Sequence, residues 1–288
     1  MEVKQINPKI LQDLAKLKPN AYQYILKIYP QSYKWFSGED YPSYNQLVDI
    51  SRIFNVPFGY FFLSELPKYI LPIDVDFTPS EELIDAIKFA ERIQDWVKDI
   101  LIELGYEKEE IIGIYDDINS KLNELFNIEE AKNVKTKNEL FKYLINRVED
   151  RNIVVLVSGY IRDVSNNYRR LNCEEFKGFV MYDNIAPVIF INDNNTLSSK
   201  IHTLINAVIY VLIGESIILN KYSKDKLKDI CGTDILSFTQ YLPEDPFSSQ
   251  KSFEIQFSEK FLNLLRTAIY NGIISYRDAL IITGLKSL

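Results

Sequence analysis

The sequence predicts an α+β protein with an all-helical first part and a second part in which a small sheet packs on helices. Three observations lead there. Apolar residues recur at helical spacing through much of the chain. Three short runs, 153–157, 178–182 and 188–192, are rich in β-branched and aromatic residues and read as strands. The chain has 288 residues, enough to bury about three quarters of its unfolded surface without disulfide staples.

Residues 1–64 read as short helices over 8–17, 20–28, 31–36 and 43–54 with a last turn at 58–63, punctuated by Gly38, Pro42 and Pro57. A connector follows in which Pro67, Pro72 and Pro79 favour extended backbone, with Asp74 and Asp76 set among apolar residues. Ser80 suits an N-cap, and Glu81 and Glu82 favour the positive end of a helix dipole. Leu83, Ile87, Ala90, Val97, Ile100, Leu101 and Leu104 then keep helical spacing up to Gly105. Residues 65–105 are therefore expected to be a linker and a helix joining two halves.

Residues 106–288 form the third region. Its start, 107–133, is acidic and helical, as a solvated face would be. Thr136 and Glu139 make a capping box ahead of Leu140, Phe141, Leu144, Ile145 and Val148. The three strands follow, with Asp183 and Asn184 near a turn.

Composition narrows the function. The net charge is −7, from 33 basic and 40 acidic side chains, and residues 1–80 carry eight of each. Phosphate neutralisation supplies most non-specific DNA affinity, so this balance counts against an extended nucleic-acid surface. The start of the chain lacks a basic head and apolar run, and the longest apolar stretch, 204–213, is about half a membrane span and contains Asn206. A cytoplasmic protein without membrane partners is expected. Cys173 and Cys231 make no C-x-x-C pair and read as free thiols.

Residues 174–179 (EEFKGF), 186–192 (APVIFIN) and 201–216 (IHTLINAVIYVLIGES) together resemble the core of the ImmA/IrrE family of zinc metallo-endopeptidases. The tail VPFGYFFL at 56–63 resembles the helix-turn-helix module often fused ahead of that peptidase, and 271–288 resembles the family's closing helix. The resemblance implies a helix-turn-helix-like domain over 1–64 and a zincin-like domain over 106–288. In that family the central helix carries H-E-x-x-H, two histidines one turn apart that bind zinc and a glutamate that activates water. Asn206, Ala207 and Tyr210 stand at those positions. An amide, a methyl and a phenol do not make a catalytic zinc site, so a degenerate site with no metal and no cofactor is expected. The third ligand of the family falls near Ile230, with Asp229 or Asp234 close by.

His202, Asn206 and Tyr210 lie one helical turn apart, a polar column expected to be buried and joined by hydrogen bonds. His202 is the only histidine; a relocated metal site with Asp229, Cys231 or Asp234 is the alternative to a structural role. Ile189, Phe190, Ile191 and Asn192 match the strand that holds extended substrate in such peptidases, and they read either as a peptide-binding edge or as an inner strand. Gln31, Ser32, Tyr33 and Lys34 match the DNA-contacting helix of the helix-turn-helix, with Lys34 alone cationic. The resulting expectation is a non-catalytic pseudo-peptidase acting as a regulatory or interaction factor on a protein partner, by resemblance a repressor of phage, plasmid or toxin-antitoxin circuits. Its alternatives are a DNA-binding regulator and an active metallo-endopeptidase with an unusual site.

Overall fold

The computed structural model describes residues 3–54, 56–67, 71–107, 118–162, 168–221, 223, 241–244 and 255–288, with the backbone alone described at Asn20 and Ile128. The chain is α+β and divides into two units, Met1–Ile70 with Arg162–Arg169, and Leu71–Ile161 with Arg170–Leu288.

The first unit is built from α1 (Pro8–Leu17), α2 (Pro19–Ile28), a 3-10 turn (Pro30–Ser32) running into α3 (Tyr33–Ser37), α4 (Tyr44–Phe54) and a second 3-10 turn (Phe58–Phe62). The Asn7 side chain caps α1 by accepting from the Lys9 amide, and prolines open α1 and α2 where a missing N–H costs nothing. Ile10, Leu11, Leu14, Ile25, Trp35, Leu47, Ile50, Phe54 and Phe61 make its core. The Tyr29 hydroxyl donates to Asp49 at 2.6 Å, and that bond, with burial and the negative charge of Asp49, pushes the phenol up to about 12.

The second unit contains α5 (Glu81–Glu103), α6 (Ile118–Phe126), α7 (Ile128–Ala131), α8 (Lys137–Glu149), β1 (Val154–Ser158), β2 (Tyr160–Arg162), β3 (Tyr168–Arg170), β4 (Gly178–Met181), β5 (Val188–Asn192), α9 (Leu197–Ile213), β6 (Ile217–Leu219), α10 (Glu259–Tyr270) and α11 (Tyr276–Thr283), with the outer part of the β2–β3 hairpin assigned to the first unit. Its main sheet has the order β1-β5-β4-β6, with β1 and β5 parallel and the other pairs antiparallel. The two-residue period of a strand sends Val155, Val157, Val180, Ile189 and Ile191 to one face, against α6, α8 and α9. Val154, Leu156, Phe179, Val188 and Phe190 go to the other face, against α5 and α10. With both faces covered, the strands read as continuous apolar runs.

The long helix α5 lies within the second unit. It starts at Ser80, whose hydroxyl accepts from the Leu83 amide at 3.2 Å, and its apolar stripe is part of the second unit's core. The connector ahead of it also packs there, with Ile73 buried. Among the described residues no helix is long and apolar enough to cross a membrane.

Candidate functional site

Helix α9 carries Asn206, Ala207 and Tyr210, the positions expected to decide the chemistry. The Thr196 hydroxyl caps its start by accepting from the Ser199 amide at 3.3 Å, and Gly214, at φ 77°, ends it in the left-handed conformation that favours glycine. Apolar residues surround most of it, which is the signature of a helix inside a core. Asn206 is 6% exposed, Ala207 0% and Tyr210 1%, while His202 is half-buried near the helix start.

The polar column differs from the expected hydrogen-bonded chain. The Asn206 side-chain oxygen has no hydrogen-bond partner, so no chain of donors runs through it. Helix backbone donors are already used within the helix, so the side-chain oxygen finds no donor there.

These residues do not fit a catalytic zinc ion. The metal needs three imidazole, thiolate or carboxylate ligands and an open place for water. At the three positions the chain supplies one neutral amide oxygen, one methyl and one phenol, and among the described residues no group of three His, Cys, Asp or Glu side chains could hold a metal. Asp229, Ile230, Cys231 and Asp234 lie outside the described residues.

The strand 189–192 is an inner one. Ile189, Phe190, Ile191 and Asn192 belong to β5, which pairs with β1 on one side and β4 on the other, so no backbone edge is left for a peptide. This corrects the reading of the strand as a peptide-binding edge; what looked like a substrate cradle is the sheet's centre. The outer side of β1 is itself met at Val157 by Gln256, whose amide donates to the Val157 carbonyl at 2.9 Å.

Asn192 has a structural task. Its Nδ2 donates to the Phe176 carbonyl at 3.1 Å, and its Oδ1 accepts from the Asn194 amide at 3.1 Å. Beside it Asp193 accepts from Lys200 at 2.5 Å, with both side chains largely buried, which ties the loop to the first turn of α9. The run Asn192-Asp193-Asn194-Asn195 before Thr196 is the sequence signal for this turn-and-cap arrangement.

In the first unit, Gln31, Tyr33 and Lys34 are exposed, but Ser32 is 0% exposed and its hydroxyl has no hydrogen-bond partner. Ser32 therefore cannot touch a base edge, which corrects that part of the expected DNA-contacting set. It lies in the 3-10 turn that leads into α3, where Trp35 and Phe36 are buried as well.

A titratable group missed by the sequence lies elsewhere in the second unit. Glu149, the last residue of α8, is buried and pushed up to about 7, because burial outweighs the favourable interactions with Ser258, the Val155 amide and Lys260. The Val155 amide donates to its Oε1 at 3.3 Å, and Oε2 has no hydrogen-bond partner. The adjacent Ser258 hydroxyl is engaged as the N-cap of α10, accepting from the Phe261 amide at 3.0 Å. Lys260 pairs with Asp150. Accepting from the Phe261 amide leaves the Ser258 proton for Glu149, so the two side chains join the end of α8 to the start of α10.

Comparison of the chain with family models, with curated proteins and with solved structures finds no match.

Proposed function

We propose that this protein is a non-catalytic counterpart of the helix-turn-helix zinc endopeptidases, a regulatory factor that works by binding a protein partner. The observation that supports this most is the burial of Asn206, Ala207 and Tyr210 inside the core at the positions that would grip and use the metal. A methyl group with no exposure at position 207 can neither accept a proton nor orient water. By the resemblance, the partner is a repressor of a phage, plasmid or toxin-antitoxin circuit, and the chain acts in the cytoplasm by occupancy and not by cleavage.

The test is elemental analysis of protein purified without added zinc, combined with incubation with candidate repressors and recovery of complexes from the host. The expected result is sub-stoichiometric zinc with an intact, co-purifying repressor. One zinc per chain, or repressor cleavage that a chelator stops, would overturn the proposal in favour of an active endopeptidase.

A second reading, DNA binding through the first unit, is favoured by the exposure of Gln31, Tyr33 and Lys34 on one short segment. A mobility shift that Lys34→Ala weakens by roughly threefold supports it, and no shift at low salt removes it.

A further inference from the structure

Within the second unit, α11 packs against α5 and leaves a groove of about 440 Å³ lined by Trp96, Ile274, Ser275, Asp278, Ile281 and Ile282. Gly272, at φ 72°, turns the chain out of α10, and Ser275 caps α11 by accepting from the Asp278 amide at 3.0 Å. The same hydroxyl donates to Asp278 Oδ2 at 2.7 Å, which fixes the carboxylate beside the groove and leaves Oδ1 without a partner among the described residues.

The walls are apolar and partly wet. Ile281 is 66% exposed, although it sits on a helix whose other aliphatic residues are covered at least in part, and Trp96, Ile274 and Ile282 are half-buried. Covering such a surface with a partner is favourable, and a contiguous apolar patch inside a polar rim is the usual anatomy of a protein interface.

The rim is acidic. Asp99 and Glu103 follow Trp96 by three and seven residues, on the same stripe of α5, and both are exposed, as is Asp95 beside them. Burial and then the charges of Glu91, Asp99 and Asp183, opposed by Lys98, raise the Asp95 carboxyl above its ordinary value, a sign of negative charge left unbalanced there. The neighbouring cations are placed otherwise: Lys98 is paired with Asp183 at 2.6 Å, the Arg92 guanidinium lies 5.9 Å from the Phe89 ring, and Arg277, the one cation of α11, does not line the groove. The wider field has the same sign. Residues 1–70 with 162–169 carry ten Lys and Arg against seven Asp and Glu, a net of +3, which leaves −10 on the second unit of the −7 chain.

We infer that this groove docks a basic amphipathic segment of a partner protein, its aliphatic side chains against Trp96 and Ile281 and its lysines or arginines against Asp95, Asp99 and Asp278. Charge complementarity selects the occupant, since an acidic rim repels nucleic acid and anionic lipid. Charge alone would draw any polycation; the exposed isoleucine and the tryptophan select one with an apolar face. This docking rests on the proposed protein-binding role and is measured without a repressor or zinc, so loss of either result leaves the other standing.

The experiment mixes the full chain at low salt with a leucine–lysine peptide of helical period and follows tryptophan emission. The chain has two tryptophans, and Trp35 is 2% exposed, so Trp96 is the reporter. Wild type is expected to bind with a blue shift of emission, and the same peptide with glutamate for lysine is expected not to bind. Asp99→Lys is expected to weaken binding roughly tenfold. Glu129→Lys, an equal change of charge on α7 in the other core layer, is expected to weaken it by less than about twofold. Ile281→Ser, at an exposed position, is expected to weaken it roughly tenfold while circular dichroism stays unchanged. Absence of an emission shift, equal losses in Asp99→Lys and Glu129→Lys, unchanged affinity in Ile281→Ser, equal binding of the glutamate peptide, or a wild-type dimer that Ile281→Ser dissolves would each overturn the inference.

Discussion

Asn192, at the end of β5, and Asn206, in the middle of α9, are 0% and 6% exposed, yet their amides are treated in opposite ways. Asn192 uses both ends of its amide, donating to the Phe176 carbonyl and accepting from the Asn194 amide. The oxygen of Asn206 meets nothing. A buried polar group that completes its bonds holds a loop in one shape, whereas one left unpaired carries a desolvation cost with no return in stability. The first belongs to the architecture. The second is where a proposal of lost chemistry finds its support.

Substitutions that exchange the roles of these two regions sharpen the contrast. Ala207→Glu, which puts a carboxylate where exposure is 0%, is expected to cost about 4 kcal/mol or more in urea unfolding, with no recovery on adding zinc. Recovery by zinc would mean that Asn206 and Tyr210 still leave a metal-binding frame. Asn192→Ala is expected to cost about 3 kcal/mol, since it strands the Phe176 carbonyl and the Asn194 amide; a change of a few tenths would show that water replaces the amide.

Glu149→Gln tests a third buried polar group by pH. Its carboxyl rises from 4.5 to about 7 on folding, so the folded chain holds a proton that the unfolded chain has released between these values. Stability from the protonated form is complete below pH 4.5 and is lost as pH rises through about 7. Glu149→Gln should therefore add about 2 kcal/mol at a pH above 7 and little at a pH below 4.5, read from denaturant midpoints in the two buffers. Equal effects at both ends would remove the carboxyl as the source. The smallest effect expected is a gain of about 1 kcal/mol for Asn206→Leu, which discards the unpaired oxygen at similar volume. A loss instead would assign that oxygen a partner or a task.

Much of the fold was legible from local pattern. The helix at 8–17 and the strand at 188–192 have the expected bounds, and the Ser80 and Thr136 caps form. Helix α9 begins at Leu197 and ends at Ile213, where the family resemblance had placed it over 201–216. Its first turn is polar and set by Thr196, and Gly214 stops it short of Ser216, so caps and not hydrophobic period define the ends. Strands of three residues, β2, β3 and β6, are too short to show a period of two. Strand order is a long-range property that no local pattern holds, which is why β5 was open to two readings. Among the site residues, Asn206, Ala207 and Tyr210 were singled out by the family resemblance, but the unpaired oxygen depends on what packs around it. Glu149 ends an amphipathic helix and looks solvated in sequence; only the approach of β1 and α10 encloses it.

Gly178 lets β4, β5 and α9 come together, because a Cβ there would fall 2.5 Å from the Phe190 carbonyl oxygen and 2.9 Å from a methyl of Thr203. A single hydrogen atom thus sets the spacing of helix and sheet, and that joint has no slack. Sliding α9 would collide on one side or open a vacuum on the other, so the interior acts as a solid strut. A larger side chain at position 178 would have to push strand and helix apart.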